Sequence, residues 1–226
     1  MTAANLEREL KLRPDEPELL DRLAVVDRLG PFTVTGRRRE IQRNGFFDSS
    51  SRAFGGARVS FRRRTIQGAS LATWTLKGEG QQARGVATRT EIELQLEPDM
   101  APAVAIGALR QAASQRGATA LAEALGDALA VGGLPLARPY LETETDRTIV
   151  DLEAADRGWS VELALDRVRL VGHGYAELEI EAELKRGDDA TLEAARQAII
   201  ALGPTHDSEG SKLSRALAHV GACSGC

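Results

Sequence analysis

Glu7-Arg8-Glu9-Leu10-Lys11 is the stretch on which the fold turns. In an extended strand alternate side chains share a face, so Glu7, Glu9 and Lys11 point one way while Leu6, Leu10 and Leu12 point the other. One face is apolar and the other carries two carboxylates and an amine. A half-buried strand with a solvated charged face looks the same, so the pattern gains meaning only where later strands repeat it.

They do repeat it. From Gly55-Gly56 three strand-like runs follow, joined by short polar or glycine-containing segments, which is hairpin connectivity and predicts an antiparallel sheet. In the first, Arg58, Ser60, Arg62 and Arg64 oppose Val59 and Phe61; in the second, Thr73, Thr75, Lys77 and Glu79 oppose Trp74 and Leu76. In the third, Arg89, Glu91 and Glu93 oppose Ile92 and Leu94. Further strands are expected at 140–152, which carries Arg147, and at 159–167, where Glu162 and Asp166 oppose Val161, Leu163 and Leu165. The clearest run is Tyr175 to Lys185, where Glu177, Glu179, Glu181 and Glu183 alternate with apolar residues.

Between these runs the periodicity changes. Leu19, Leu20, Leu23 and Val26 recur at helical spacing after Pro14 and Pro17, and a strand is expected over 39–48, with Ser49-Ser50-Ser51 opening its turn. From Pro98 to Gly133 the composition shifts to Ala, Leu and Gln, predicting helices over 102–116 and 119–130 as an insertion between strands. Asp188 or Asp189 caps a helix carrying Leu192, Ala195, Ile199 and Leu202, and a last helical segment runs from about Ser211 to Val220. About eight strands result, enough to close a barrel wide enough for a ligand.

Composition sets the remaining bounds. The 226 residues can bury a sizeable core, as one large domain, read here as 1–220, or as two small ones, and 42% hydrophobic and 27% charged residues are ordinary for a globular protein. A net charge of -4 argues against a general nucleic-acid binder, so any anion site is local. No stretch approaches the length of a membrane span and no basic segment leads into an apolar run, so a soluble, cytoplasmic protein is expected, with no membrane partner. His219, Cys223 and Cys226 resemble half of a metal or redox motif, but Gly221 and Gly225 loosen the segment, and 221–226 reads as a mobile tail.

Pattern alone leaves two arrangements open. Either the charged faces meet solvent as weak ion-pair ladders, or they line the inside of a barrel whose apolar outer face is covered by the helices. Charge type segregates along the chain, with Arg58, Arg62, Arg64 and Lys77 in the middle strands and four glutamates in succession in the last. Four like charges on one face repel unless cations hold them.

These residues bring a family into view. Glu7-Arg8-Glu9-Leu10-Lys11 resembles the E-x-E-x-K signature of the CYTH superfamily, the triphosphate tunnel metalloenzymes, and Phe46-Phe47-Asp48-Ser49 is similar to its Tyr-Phe-Asp-Thr segment. Residues Gly56 to Arg64 resemble its Arg-x-Arg strand, Thr75-Leu76-Lys77 its lysine strand and Arg89-Thr90-Glu91-Ile92-Glu93 its R-x-E-x-E strand, with Arg147, Leu165-Asp166 and Glu177-Leu178-Glu179 following in order. Ser211-Lys212 with Arg215 resembles the Ser-Lys element of the bacterial inorganic triphosphatase branch. Two departures stand out: Ser60 shares a face with Arg62 and Arg64, and Thr145 stands where many relatives carry lysine.

The resemblance implies an α+β fold, an eight-stranded antiparallel tunnel with a charged lumen and helices outside. It implies a small anionic substrate, inorganic triphosphate first, with thiamine or nucleoside triphosphates and ATP cyclisation as relatives' alternatives, and a non-catalytic polyphosphate binder as a separate class. A linear triphosphate needs matching cations, which Lys11, Arg62, Arg64, Lys77, Arg89, Arg147 and Lys212 would supply. Glu7, Glu9, Glu177 and Glu179 are the expected ligands of Mg2+ or Mn2+, hard cations that take oxygen donors. Glu177, Glu179 and Lys11 are the expected catalytic groups; Glu91, Glu93 and Asp166 orient the bases from behind, and Glu181 and Glu183 reach toward the tunnel mouth.

Overall fold

The computed structural model describes residues 6–223. In chain order these form β1 (Leu6–Pro14), α1 (Glu18–Val25), β2 (Arg28–Leu29), β3 (Phe32–Phe47), α2 (Ala53–Gly56), β4 (Ser60–Ile66), β5 (Ala72–Ala83) and β6 (Val86–Leu96). The helices α3 (Pro102–Gln115) and α4 (Thr119–Gly132) follow, then β7 (Leu141–Ala154), β8 (Trp159–Leu170), β9 (Ala176–Arg186), α5 (Asp189–Ile200), β10 (Thr205–Asp207) and α6 (Lys212–Cys223). The ladder runs β1-β6-β5-β4-β3-β7-β8-β9, and β9 pairs again with β1, from Glu9 opposite Glu183 to Leu12 opposite Ile180. The sheet is thus a closed, eight-stranded antiparallel barrel, with β2 and β10 as short additions.

Two compact units make up the chain. The first contains Gln42–Gln81 and Thr88–Glu144 with the start of β1. Its core is Phe47, Phe61, Trp74, Leu76 and Ile92 from the strands against Ile106, Leu109, Leu121 and Leu125 from α3 and α4. Phe47, Phe61 and Trp74 lie with ring centroids 5.2 to 5.7 Å apart, the spacing at which aromatic pairs attract. The second unit contains Arg8–Ile41, Gln82–Ala87 and the described residues from Thr145 onward. Here Leu10, Leu12, Leu152, Leu163, Leu165 and Ile180 pack on Leu19, Leu20 and Leu23 of α1 and Leu192, Ala195 and Ile199 of α5. These four helices, α3 and α4 in one unit and α1 and α5 in the other, cover the apolar strand faces, and the charged residues occupy the opposite faces.

Local sequence explains the ends of the elements. Asp188 caps α5, its carboxylate accepting from the backbone of Ala190 and Thr191, while Thr191 Oγ1 accepts from the Asp188 N–H. Asp188→Ala is expected to cost about 1 kcal/mol, read as a thermal midpoint about 2–4 °C lower in a calorimetric or fluorescence melt. The two-residue turn between β5 and β6 is Arg84-Gly85, with φ of 50° and 72°, matching the turn class that suits right-twisted hairpins. The φ of 72° favours glycine at Gly85, and a Cβ there would also push aside Asp207 Oδ1 at 2.6 Å and Arg196 at 2.7 Å.

Four expectations are corrected. β3 begins at Phe32, seven positions before the predicted 39: the alternation of Phe32 and Val34 with Thr33 and Thr35 is cut short by Gly36-Arg37-Arg38-Arg39, and the strand start pairs through Arg28 opposite Thr33 and Leu29 opposite Phe32. Arg58 does not belong to β4; it has φ 56°, is exposed and pairs with Glu79. The helix expected to stop at Val220 runs on to Cys223, while Cys226 lies outside the described residues. Glu181 is not at a mouth but deep in a cation cluster, as described below. Among the described residues no helix is long and apolar enough to cross a membrane.

Candidate active site

Cross-strand register builds the charged face of the first unit. Arg62 lies opposite both Phe46 and Thr75, Arg64 opposite Asn44 and Thr73, and Ser60 opposite Lys77; residues directly opposite share a face. The two guanidiniums on this face are therefore Arg62 and Arg64, and Ser60 leaves room beside them. Lys77 Nζ sits 2.6 Å from Glu91 and 3.1 Å from Glu7, whose carboxylate also accepts from Arg89 Nε at 2.8 Å. Arg62 donates to Thr75 Oγ1 at 3.2 Å and lies 3.6 Å from Glu93, and Thr75 donates to Glu93 at 2.9 Å. Burial raises the Glu93 carboxyl, but hydrogen bonding to Glu91 and the charges of Arg62 and Arg64 outweigh it and hold it below the usual range. Four cations here face three carboxylates, Glu7, Glu91 and Glu93, which leaves an excess of positive charge.

The second unit reverses that balance. β9 presents Glu177, Glu179 and Glu181, with Asp166 of β8 directly opposite Glu179 and Lys11 of β1 directly opposite Glu181. Asp166 and Glu179 are 0% exposed and Lys11 is 2% exposed. Arg147 makes a two-pronged contact with Asp166 at 2.7 and 2.6 Å and reaches Glu181 at 2.6 Å. Lys11 Nζ lies 3.0 Å from Glu9 and 3.5 Å from Glu181.

The first turn of α6 adds two more cations. Lys212 Nζ contacts Asp166 at 3.0 Å, Glu181 at 2.7 Å and also Glu179. Arg215 bridges Glu177, at 2.7 and 3.0 Å, and Glu179, at 2.7 Å. Two hydroxyls complete the shell: Tyr175 donates to Glu177 and Ser208 to Glu179. Five carboxylates, counting Glu9, thus face four cations.

The energetics follow from burial. Desolvation would lower the Lys212 amine, yet Glu179, Glu181 and Asp166 override it and hold the group protonated far above neutrality. Burial would likewise raise the Glu181 carboxyl, but Lys212, Lys11 and Arg147 hold it well below the usual carboxylate range. Burial and Glu177 push the Tyr175 phenol up to about 12, so it stays a neutral donor.

The donor chemistry of this cluster fits a divalent cation. Carboxylate oxygens are what Mg2+ and Mn2+ select, and the Lys212 ammonium already stands where three carboxylates converge. Among the described residues no three or more His, Cys, Asp or Glu side chains are preformed as a metal cage; Lys212 and Arg215 hold the oxygens that a metal would take.

Each expected site residue can now be placed. Glu9, Lys11, Arg147, Asp166, Glu177, Glu179 and Lys212 meet in the second unit's cluster. Glu7, Arg62, Arg64, Lys77, Arg89, Glu91 and Glu93 meet in the first unit's. Sequence reasoning gave Glu181 only an outer position and assigned no role to Arg215, Ser208 or Tyr175. For Arg215 the signal was present, since it lies three residues after Lys212 and so on the same helical face.

The CYTH domain profile matches residues 5–217 of the chain. No curated protein matches it. Among solved structures, the chain resembles a Hippeastrum protein named as a candidate adenylyl cyclase with a dominant triphosphatase activity, at 22% identity and TM-score 0.62, covering 92% of this chain and 93% of that one. It also resembles the PH1819 protein of Pyrococcus horikoshii, at 17% identity and TM-score 0.54, with 93% and 99% covered. A candidate adenylate cyclase from Bacillus halodurans is similar at 18% identity and TM-score 0.51, with 93% and 97% covered.

Proposed function

This chain belongs to the CYTH domain family, and from that premise we propose that it hydrolyses a triphosphate, inorganic triphosphate first, to diphosphate and phosphate with Mg2+ or Mn2+. The observation that carries the reading is the set of paired charged groups on the second unit's charged face, where Lys11, Asp166 and Glu179 are buried and Arg147 and Lys212 half-buried. Burying paired charges gives little net stability compared with apolar packing, so such a cluster points to chemistry.

In this reading Lys11, Arg147 and Lys212 are phosphate ligands, and the resemblance of their strands to the family's motifs assigns the same role to Arg62, Arg64, Lys77 and Arg89. Arginine grips phosphate oxygens in pairs and lysine acts as a point charge. Glu9, Glu177 and Glu179 would hold the divalent ion, while Glu7 keeps Lys77 and Arg89 in place. When bound, that ion neutralises phosphate charge and lowers the pKa of a bound water. Glu177 and Glu179 orient the attacking water, and Lys11 and Arg147 offset charge on the phosphoryl group in transfer. Asp166, Glu91 and Glu93 orient the basic side chains they touch.

A substrate without a base is favoured by where the two tryptophans lie. Trp74 is buried on the apolar side against α3 and α4, and Trp159 packs beside Phe32 and Arg157. Of the five phenylalanines only Phe46, opposite Arg62, is on a charged face. Phosphate release from triphosphate, ATP and thiamine triphosphate, each with Mg2+, Mn2+ or EDTA, tests the proposal. Fastest turnover on inorganic triphosphate, abolished by EDTA, is expected. Retained turnover in EDTA defeats the metal assignment, and cyclic AMP formation outrunning phosphate release defeats the hydrolase. Arg62→Ala should raise the KM for triphosphate about tenfold or more, the loss of one charge-assisted contact; an unaltered KM removes Arg62 from the phosphate ligands.

A further inference from the structure

Two neutral hydroxyls flank the glutamates of β9, and the reaction as read above leaves both unused. Tyr175 Oη donates to Glu177 Oε2 at 2.7 Å, and Ser208 Oγ donates to Glu179 Oε1 at 2.6 Å. Each is fixed from behind. The Tyr175 ring lies 4.9 Å from the His219 ring. Ser208, wholly buried, donates its N–H to the Lys11 carbonyl at 3.0 Å and accepts at its own carbonyl from Gln82 Nε2 at 2.6 Å.

The other groups on these two carboxylates, Arg215 and Lys212, are cations. The difference matters chemically. A cation neutralises the carboxylate it holds and repels a second cation, so it competes with a metal. A hydroxyl leaves the negative charge whole and uses one of about four lone-pair positions on the two oxygens. Donors of that kind fix a ligand's rotamer while leaving it free to coordinate, as outer partners of metal ligands do.

We propose that Tyr175 and Ser208 are positioning residues that hold Glu177 and Glu179 in coordinating orientation for a divalent cation, one hydroxyl per carboxylate. The inference rests on the metal-dependent reading of this cluster. It predicts that binding of the ion is prepared by the two hydroxyls and opposed by the two α6 cations.

The test is titration of the full chain with Mn2+, following free Mn2+ by electron paramagnetic resonance without substrate, alongside a thermal melt of each protein. Tyr175→Phe and Ser208→Ala should each raise the Mn2+ Kd about tenfold or more, and Ser208→Thr, which restores a hydroxyl, should recover most of the Ser208 loss. Tyr175→Phe keeps the ring and is expected to melt within a few degrees of the parent. Wild-type Mn2+ affinity in both Tyr175→Phe and Ser208→Ala, whatever their melting points, would overturn the positioning role while leaving the metal centre standing. Wild-type affinity in Glu177→Gln would instead overturn the metal centre itself, and the positioning role with it.

Discussion

Glu177→Gln is expected to abolish turnover, lowering kcat by about 10³-fold or more, while triphosphate binding stays measurable. The substitution keeps the shape of the side chain and its contact with Tyr175 but removes the charge that Arg215 grips through Nε and Nη2. An amide is a poor ligand for a hard cation and cannot orient a nucleophilic water as a carboxylate does. The cations proposed as phosphate ligands are untouched, so calorimetric titration with triphosphate should still give a saturable isotherm. Turnover within threefold of the parent would remove Glu177 from the catalytic groups.

Arg147→Ala carries the largest expected cost to stability, about 3–5 kcal/mol, because it strips the two-pronged partner from a buried carboxylate. Asp166 would keep only Lys212, and Glu181 would lose one of three cations. A melt should show the midpoint falling by about 6–20 °C. The sign of the pH dependence follows. Burial raises the carboxyls of Asp166 and Glu181, but Arg147 and Lys212 around Asp166, and those two with Lys11 around Glu181, lower them in the folded state. Their stabilising contribution is therefore complete above the unfolded carboxyl range near pH 4 and is lost as pH falls through the depressed folded values. The variant should lose part of this acid-sensitive stability, so that its unfolding free energy changes less with pH below pH 4 than the parent's. An identical pH profile would mean that Arg147 does not set these carboxyls.

How much of this was legible depended on where each residue's partner lies in the chain. Period-two alternation located β1, β4 to β6 and β8 and β9, and with them which side chains share a face, because register fixes orientation. The apolar runs of α3, α4 and α5 gave the covering helices. The first half of β3 escaped because its ladder is ionic: Arg38 with Asp151 and Glu162, and Arg39 with Asp146, bring together residues more than a hundred positions apart. Glu181 looked like one more step in a row, and only the arrival of Lys212 and Arg147 shows it to be central. Ser208 sits in an irregular stretch, where a hydroxyl has no periodic signature, whereas Tyr175 opens the alternating run two residues before Glu177 and reads only as its start. The motif resemblance supplied the family and its candidate ligands, and could not say which cations already occupy the carboxylates.

The Arg84-Gly85 turn also bears on handling the protein. Asp207 and Arg196 crowd its glycine, Arg196 grips the Arg84 carbonyl, and the Gly85 carbonyl accepts from the Lys11 backbone. A protease cannot draw that tip into its cleft without prising it from β1, and a reporter peptide spliced there would strain the same anchor. The bend at Gly68, with no atom within 4 Å of an added Cβ, is where a label should be grafted instead.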